Sequence, residues 1–199
     1  MALPQSTAME ALLQIWDAHS EWGNDRLLAL ILATIASETD DFKVRVENLS
    51  FRSADRIRDL WPTRFATVAD AAPFVGKPEE LAQKVYGDRF GNNQPGDAYR
   101  YRGRGMAMLL GREEYTRYGK AIDVDLLSNP EFALNPAIGA RIAFAAYFND
   151  DTMKELNAYF QKSSADWKGA PISSRVVDRE PISIKSDAIY DCINKVKPK

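Results

Sequence analysis

Residues 27 to 36, LLALILATIA, make an almost unbroken apolar run. Ten residues fall far short of the roughly 20 needed to span a bilayer, so the run reads as the buried helix of a core. The helical segment is placed at 24 to 38, with Asn24 or Asp25 as its cap and Ile31, Leu32, Ile35 and Ala36 on its apolar face. It then meets Glu38, Asp40 and Asp41. A helix C-terminus carries partial negative charge, so three acids there are locally unfavourable. Something other than helix stability placed Glu38.

The remaining pattern is also helical. A first helix is expected over 7 to 18, ended by Gly23, and a short one over ADRIRDLW, capped by Ser53 and stopped by Pro62. KPEELAQKVYG, MAMLLGREEYTRYGKAI and the apolar stretch from Pro136 to Tyr147 continue the series. Further helices are expected at 152 to 162 and 186 to 196. KVRVENLSF is the best strand-like segment, with Val44 and Val46 on one face. Its phase changes near Asn48, which predicts a turn or bulge within a hairpin at about 43 to 52. The fold class expected is mainly α with that small β-hairpin (α+β), in one domain covering 1 to 199.

Composition narrows the function. Of 199 residues, 45% are hydrophobic and 27% charged, the mix of an ordinary soluble domain. A net charge of -2 gives no electrostatic case for nucleic acid as a partner. The start, MALPQSTAMEALLQIW, lacks a basic segment followed by a clean apolar run. The expectation is a chain made in the cytoplasm without a signal peptide, not inserted in a membrane, and monomeric. The lone Cys192 cannot form an internal disulfide and reads as a small buried hydrophobe.

One histidine and one cysteine leave no metal-ligating pattern, and no cofactor motif is present. A serine or cysteine nucleophile with a histidine base would depend wholly on His19. The loop over 87 to 105 is rich in Gly, Asn, Asp and Arg and carries Tyr99, Tyr101, Arg100, Arg102 and Arg104. Aromatic faces stack on sugar rings and arginines reach hydroxyls, carboxylates or phosphates, while a phosphate loop would need a lysine followed by Ser or Thr. Carboxylate chemistry remains. Glu38 and Glu47 are candidates for an acid and base pair facing one cleft.

Four segments, in order, resemble glycoside hydrolase family 19, and more narrowly its lysozyme-like bacterial and phage endolysin branch. ASETDDFKVRVENLSF is similar to the family's HES-GGF…ENLNY, and SADRIRDLWPTRF to SAERL…FP..F. ELAQKVYGDRFGNN…GDAYRYRGRGMAMLLGREEY is similar to IANRVYANRMGN…GDGWRYRGRGLIQLTGRENY, and DLLSNPEFALNPAIGARIAFAAYF to the next helix, so the likeness runs over roughly 25 to 150. It implies a two-lobed, lysozyme-like helical fold with a central cleft. It also implies inverting cleavage of β-1,4 links between aminosugars, with Glu38 as general acid and Glu47 as general base. Tyr101, Arg104, Tyr115 and Asn48 are the candidate substrate-binding residues. Peptidoglycan is the expected partner, in preference to chitin, because the disulfides and signal peptide of secreted plant chitinases are missing. No separate wall-binding module is expected.

The chain departs from that pattern close to the acids. Ser37 stands where the family has His, and Met108 and Leu110 replace a substrate-binding Gln and a water-holding Thr or Ser. Glu114 replaces an Asn, and the later INGG motif is missing from the RVVDREPIS region. Methionine and leucine cannot hydrogen-bond a water or an N-acetyl group. Two readings stay open: a divergent lysozyme-like hydrolase, or a catalytically impaired relative serving as a glycan-binding, protein-interaction or scaffold module.

Overall fold

The computed structural model describes residues 5–22, 24–39, 41, 46–148, 150–162, 166–170 and 180–196. Among them the fold is mostly helical. The helices are α1 (Gln5–Ala18), α2 (Asp25–Glu38), α3 (Ala54–Leu60), α4 (Val68–Ala71) and α5 (Pro78–Tyr86). They continue as α6 (Asp97–Arg100), α7 (Gly111–Ala121), α8 (Pro136–Tyr147), α9 (Asp150–Lys162) and α10 (Glu180–Val196). Short 3-10 turns lie at Ser20–Trp22, Ala72–Phe74 and Pro130–Leu134.

Helix α2 is the centre of the larger core. Asn24 caps it, its side-chain oxygen accepting from the Arg26 amide at 3.0 Å. Every residue from Leu27 to Ala36 is buried. Each fully buried Leu or Ile there contributes about 1.5–3 kcal/mol relative to exposure. α10 packs along α2, α9 touches it as well, and α1 packs on α8. The same apolar cluster takes in Tyr101, Met106, Leu109 and Tyr115. A second, smaller cluster is built from Leu49, Ile57, Phe65, Leu81, Val85, Tyr86 and Ala98. Two cores therefore exist, and the chain crosses from the first to the second between α2 and Leu49, then back between Ala98 and Tyr101.

The β element differs from expectation. Residues 42–45 lie outside the described residues, and with them the first three residues of the expected 43 to 52 hairpin. In the described part, Val46 forms an isolated antiparallel bridge with Arg104, and Arg104 forms another with Leu109. Arg104 and Leu109 exchange both backbone hydrogen bonds, at 3.2 and 2.9 Å, and so close a tight loop over Gly105 to Met108. The local alternation at 43–47 gave no hint that Val46 pairs so far along the chain.

Two further corrections follow from helical phase. α10 begins at Glu180 instead of 186, because Pro181 sits in its first turn, where a missing N–H costs nothing. Its inward face runs through Ile182, Ser186, Ile189, Tyr190 and Ile193, so Cys192 falls off that face and is exposed, not buried. No helix among the described residues is long and apolar enough to cross a membrane.

Candidate functional site

Glu38 is the last residue of α2 and is half-buried. The end of the helix is tied down around it. The Thr39 hydroxyl donates to Ile35 O at 2.7 Å, and the Asp41 amide donates to Ala36 O at 2.7 Å. The Asp41 carboxylate is paired with Lys185 of α10, which offsets one of the acids gathered at this negative helix end. Ser37, at the position of the family's His, has a buried hydroxyl with no hydrogen-bond partner.

Glu47 follows the crossing to the second core and is the best-defined carboxylate of the region. Its amide donates to Gly103 O at 2.8 Å, and its Oε2 accepts from the Gly103 amide at 3.1 Å. Its Oε1 accepts from the Tyr86 hydroxyl at the end of α5. Burial, and then the negative charge of Glu47, push the Tyr86 phenol well above its ordinary range, so it stays a proton donor to Glu47. The Tyr86 ring is held edge-on between Trp61 at 6.4 Å and Phe90 at 6.2 Å, and Trp61 in turn meets Phe51 at 5.6 Å. A half-buried carboxylate thus keeps a fixed orientation while retaining lone pairs beyond the two already used.

One of the replaced residues, Met108, lies beside this carboxylate. A Cβ added to Gly103 would meet Met108 Cε at 3.0 Å, Glu47 Cβ at 3.2 Å and Glu47 Oε2 at 3.4 Å, so the Met108 thioether end lies beside Glu47. Met108 has φ +45°, an uncommon left-handed conformation for a side chain of this kind. Leu110 packs against the smaller core. Glu114 reaches back from the first turn of α7 and accepts from the Leu110 amide at 2.9 Å, which satisfies a helix-end donor.

Three of the four expected substrate-binding residues do not fit that role. Tyr101 is 3% exposed, donates its hydroxyl to Leu127 O at 3.2 Å and packs on Tyr115 at 5.3 Å. Arg104 is 2% exposed and donates to Arg100 O, Arg102 O, the Tyr115 hydroxyl and Glu131. Tyr115 is fully buried and donates to Arg102 O at 3.0 Å. These side chains are buried and hold the 100–105 segment in shape. Asn48 is exposed beside Glu47, and its side-chain oxygen accepts from the Ser50 amide at 2.8 Å. The lone His19 is used locally, within 2.7 Å of Ile15 O and stacked on Trp22.

Sequence reasoning missed Tyr86, Gly103 and Asn92. Asn92 is buried; its amide donates to Tyr86 O at 3.1 Å while its oxygen accepts from the Arg112 amide at 3.0 Å, clasping the end of α5 to the start of α7. The available signal was the position of Tyr86 at a helix end, just before a polar loop within a segment resembling the family. A groove of 860 Å³, formed by Glu79, Gln83, Asn93, Gln94, Tyr99 and Arg100 among others, is lined by neither Glu47, Tyr86 nor Gly103 and reaches their surroundings through Asn92.

No family model matches the chain. It is similar to a glycosyl hydrolase family 19 domain-containing protein of Haemophilus influenzae, 30% identical over 100 residues, which is 49% of this chain and 50% of that protein. The chain thus spans about half the length of that curated relative. The likeness supports a relationship to family 19 and nothing finer.

Proposed function

We propose that this chain is a divergent glycoside hydrolase of the lysozyme-like kind, cutting β-1,4 links between the aminosugars of peptidoglycan with inversion. The observation that carries the reading is the Glu47 carboxylate, aimed by the Tyr86 hydroxyl and the Gly103 amide. In this mechanism Glu47 takes a proton from a water, the water attacks the anomeric carbon, and Glu38 protonates the departing glycosidic oxygen. An inverting pair stands roughly 6.5–9.5 Å apart so that the water fits between sugar and base. Tyr86 stays protonated at working pH and holds the base in one orientation throughout. The enzyme would be made in the cytoplasm and reach the wall through release or export by another system.

The runner-up reading is a glycan-binding or scaffold relative without turnover. The observation favouring it is the Met108 thioether beside Glu47, where a hydrogen-bonding group would hold the attacking water. The apolar neighbour is expected to slow hydrolysis rather than abolish it, because acid and base are both present.

Release of reducing ends from purified peptidoglycan, with chitin oligosaccharides in parallel, tests the proposal. Wild type should be slow but measurable on peptidoglycan. Glu38→Gln and Glu47→Gln should each lower the rate by about 10²–10⁴-fold, the usual size of general acid–base contributions. Met108→Gln with Leu110→Thr should raise it. No release by either wild type or the restored double variant selects the binding reading. A Glu38→Gln variant as active as wild type removes Glu38 from its role.

A further inference from the structure

Phe90 combines two unfavourable features. It has φ +53°, where a bulky side chain is a genuine outlier and Gly or Asn is preferred, and it is 41% exposed, so its ring gains little from burial. The backbone holds it there firmly. Phe90 O accepts from the Glu113 amide at 3.0 Å, and a Cβ on Gly111 would strike Phe90 Cβ at 2.3 Å and Phe90 O at 2.6 Å. The start of α7 therefore fits the Phe90 backbone with no room to spare. Strain of this kind collects at functional positions.

The ring stands next to the chemistry. It meets Tyr86 in a T-shaped contact at 6.2 Å, and the Tyr86 hydroxyl is bound to the Glu47 carboxylate. One face is covered by the Arg89 guanidinium, 4.9 Å from the ring centroid, and Arg89 is itself exposed. With 41% of Phe90 exposed, part of its ring remains open to a flat apolar partner, and the C–H face of a pyranose ring is one. The charge beside it favours an anion at the edge of that ring.

We propose that Phe90 and Arg89 form a sugar subsite beside Glu47: the exposed part of the Phe90 ring stacks on a pyranose ring, and Arg89 selects a ring that bears a carboxylate. The ligand is an acidic aminosugar, such as one whose lactyl ether ends in a free carboxylate or in an acidic peptide, in preference to a neutral one. The inference rests on the glycan-directed reading above and deepens it.

Affinity is measured by calorimetry on the full chain, with Glu38→Gln in every protein so that no probe is consumed. The probes are a muramyl-containing glycan fragment and a chitin oligosaccharide of equal length. Phe90→Ala should weaken both about tenfold, the size expected for one lost stacking contact, while Phe90→Trp retains affinity. Arg89→Gln should weaken only the muramyl probe, about threefold, and flatten its salt dependence. Phe90→Gly should bind as poorly as Phe90→Ala yet melt a few degrees higher, since glycine relieves the left-handed backbone. Unchanged affinity in Phe90→Ala overturns the platform, and equal loss of both probes in Arg89→Gln overturns the charge selection. A parent that binds neither probe defeats both the subsite and the glycan-directed reading. A Glu38→Gln parent that binds, together with a wild type that releases no reducing ends, defeats turnover alone and leaves the subsite standing.

Discussion

Glu47 is at once a candidate base and a structural tie. Its two oxygens satisfy the buried Tyr86 hydroxyl and the Gly103 amide, so deleting the side chain and changing its chemistry are different experiments. In Glu47→Gln the amide can donate to the Tyr86 oxygen while the carbonyl still accepts from Gly103, and the fold should be kept. Glu47→Ala strands both donors and should cost about 1–3 kcal/mol more than Glu47→Gln in urea denaturation. Gly103→Ala tests the opposite side of the contact. Its Cβ would press on Met108 Cε, a flexible end that can swing away, and on Glu47 Cβ, which cannot. A small loss of melting temperature with an activity loss of about tenfold is the expected outcome.

Among the elements, the loop from Tyr99 to Gly105 is held from within. Arg104 takes up the carbonyls of Arg100 and Arg102, and Tyr115 shares the Arg102 carbonyl. Arg104→Ala should cost about 3 kcal/mol by chemical denaturation, because these groups lose a buried charged donor. Glu131→Gln should cost less, since the Glu131 side chain is 62% exposed and already largely solvated. The composition of this loop suggested exposure, as arginines and tyrosines in a glycine-rich stretch usually do. Only the folded chain reveals that the arginine's donors are met by the loop's own carbonyls, the Tyr115 hydroxyl and Glu131. The longer helices were legible because α2, α5 and α8 repeat their apolar positions at helical spacing and carry readable caps. α4 and α6, at four residues each, are too short to show a period. The Thr67–Asp70 capping box was the one available sign of α4. The misplaced β element has the same origin: alternation reveals a strand but not its partner, and Val46 pairs with Arg104.

For the whole molecule, two cores meet around hydroxyls that resist ionisation. Burial pushes the Tyr115 phenol up to about 12, against the opposing influence of Arg104, and Tyr86 is raised as well. A raised folded-state value means that stability is intact below the unfolded tyrosine value near 10 and is lost as pH climbs through the folded one. Tyr115 alone should remove roughly 2–3 kcal/mol between about pH 10 and 12. The Tyr86 contribution extends the loss to higher pH. Urea midpoints measured across that window should fall, and Tyr115→Phe should show a shallower slope than wild type. The partners of Glu47 lie 39 and 56 residues away along the chain, so the base's surroundings were invisible to any local reading of the sequence. The two acids could be picked out as candidates from the sequence, but their separate roles came only through a family resemblance.

The double duty of Glu47 has an evolutionary consequence. In a lineage that abandons hydrolysis, selection on the reaction ends, but selection on folding does not. Glu47 would persist there as a fossil kept in place by Tyr86 and Gly103, while Glu38 drifts. Across descendants of this chain, the identity of residue 38 should therefore track turnover, and the identity of residue 47 should track the joint between the two cores.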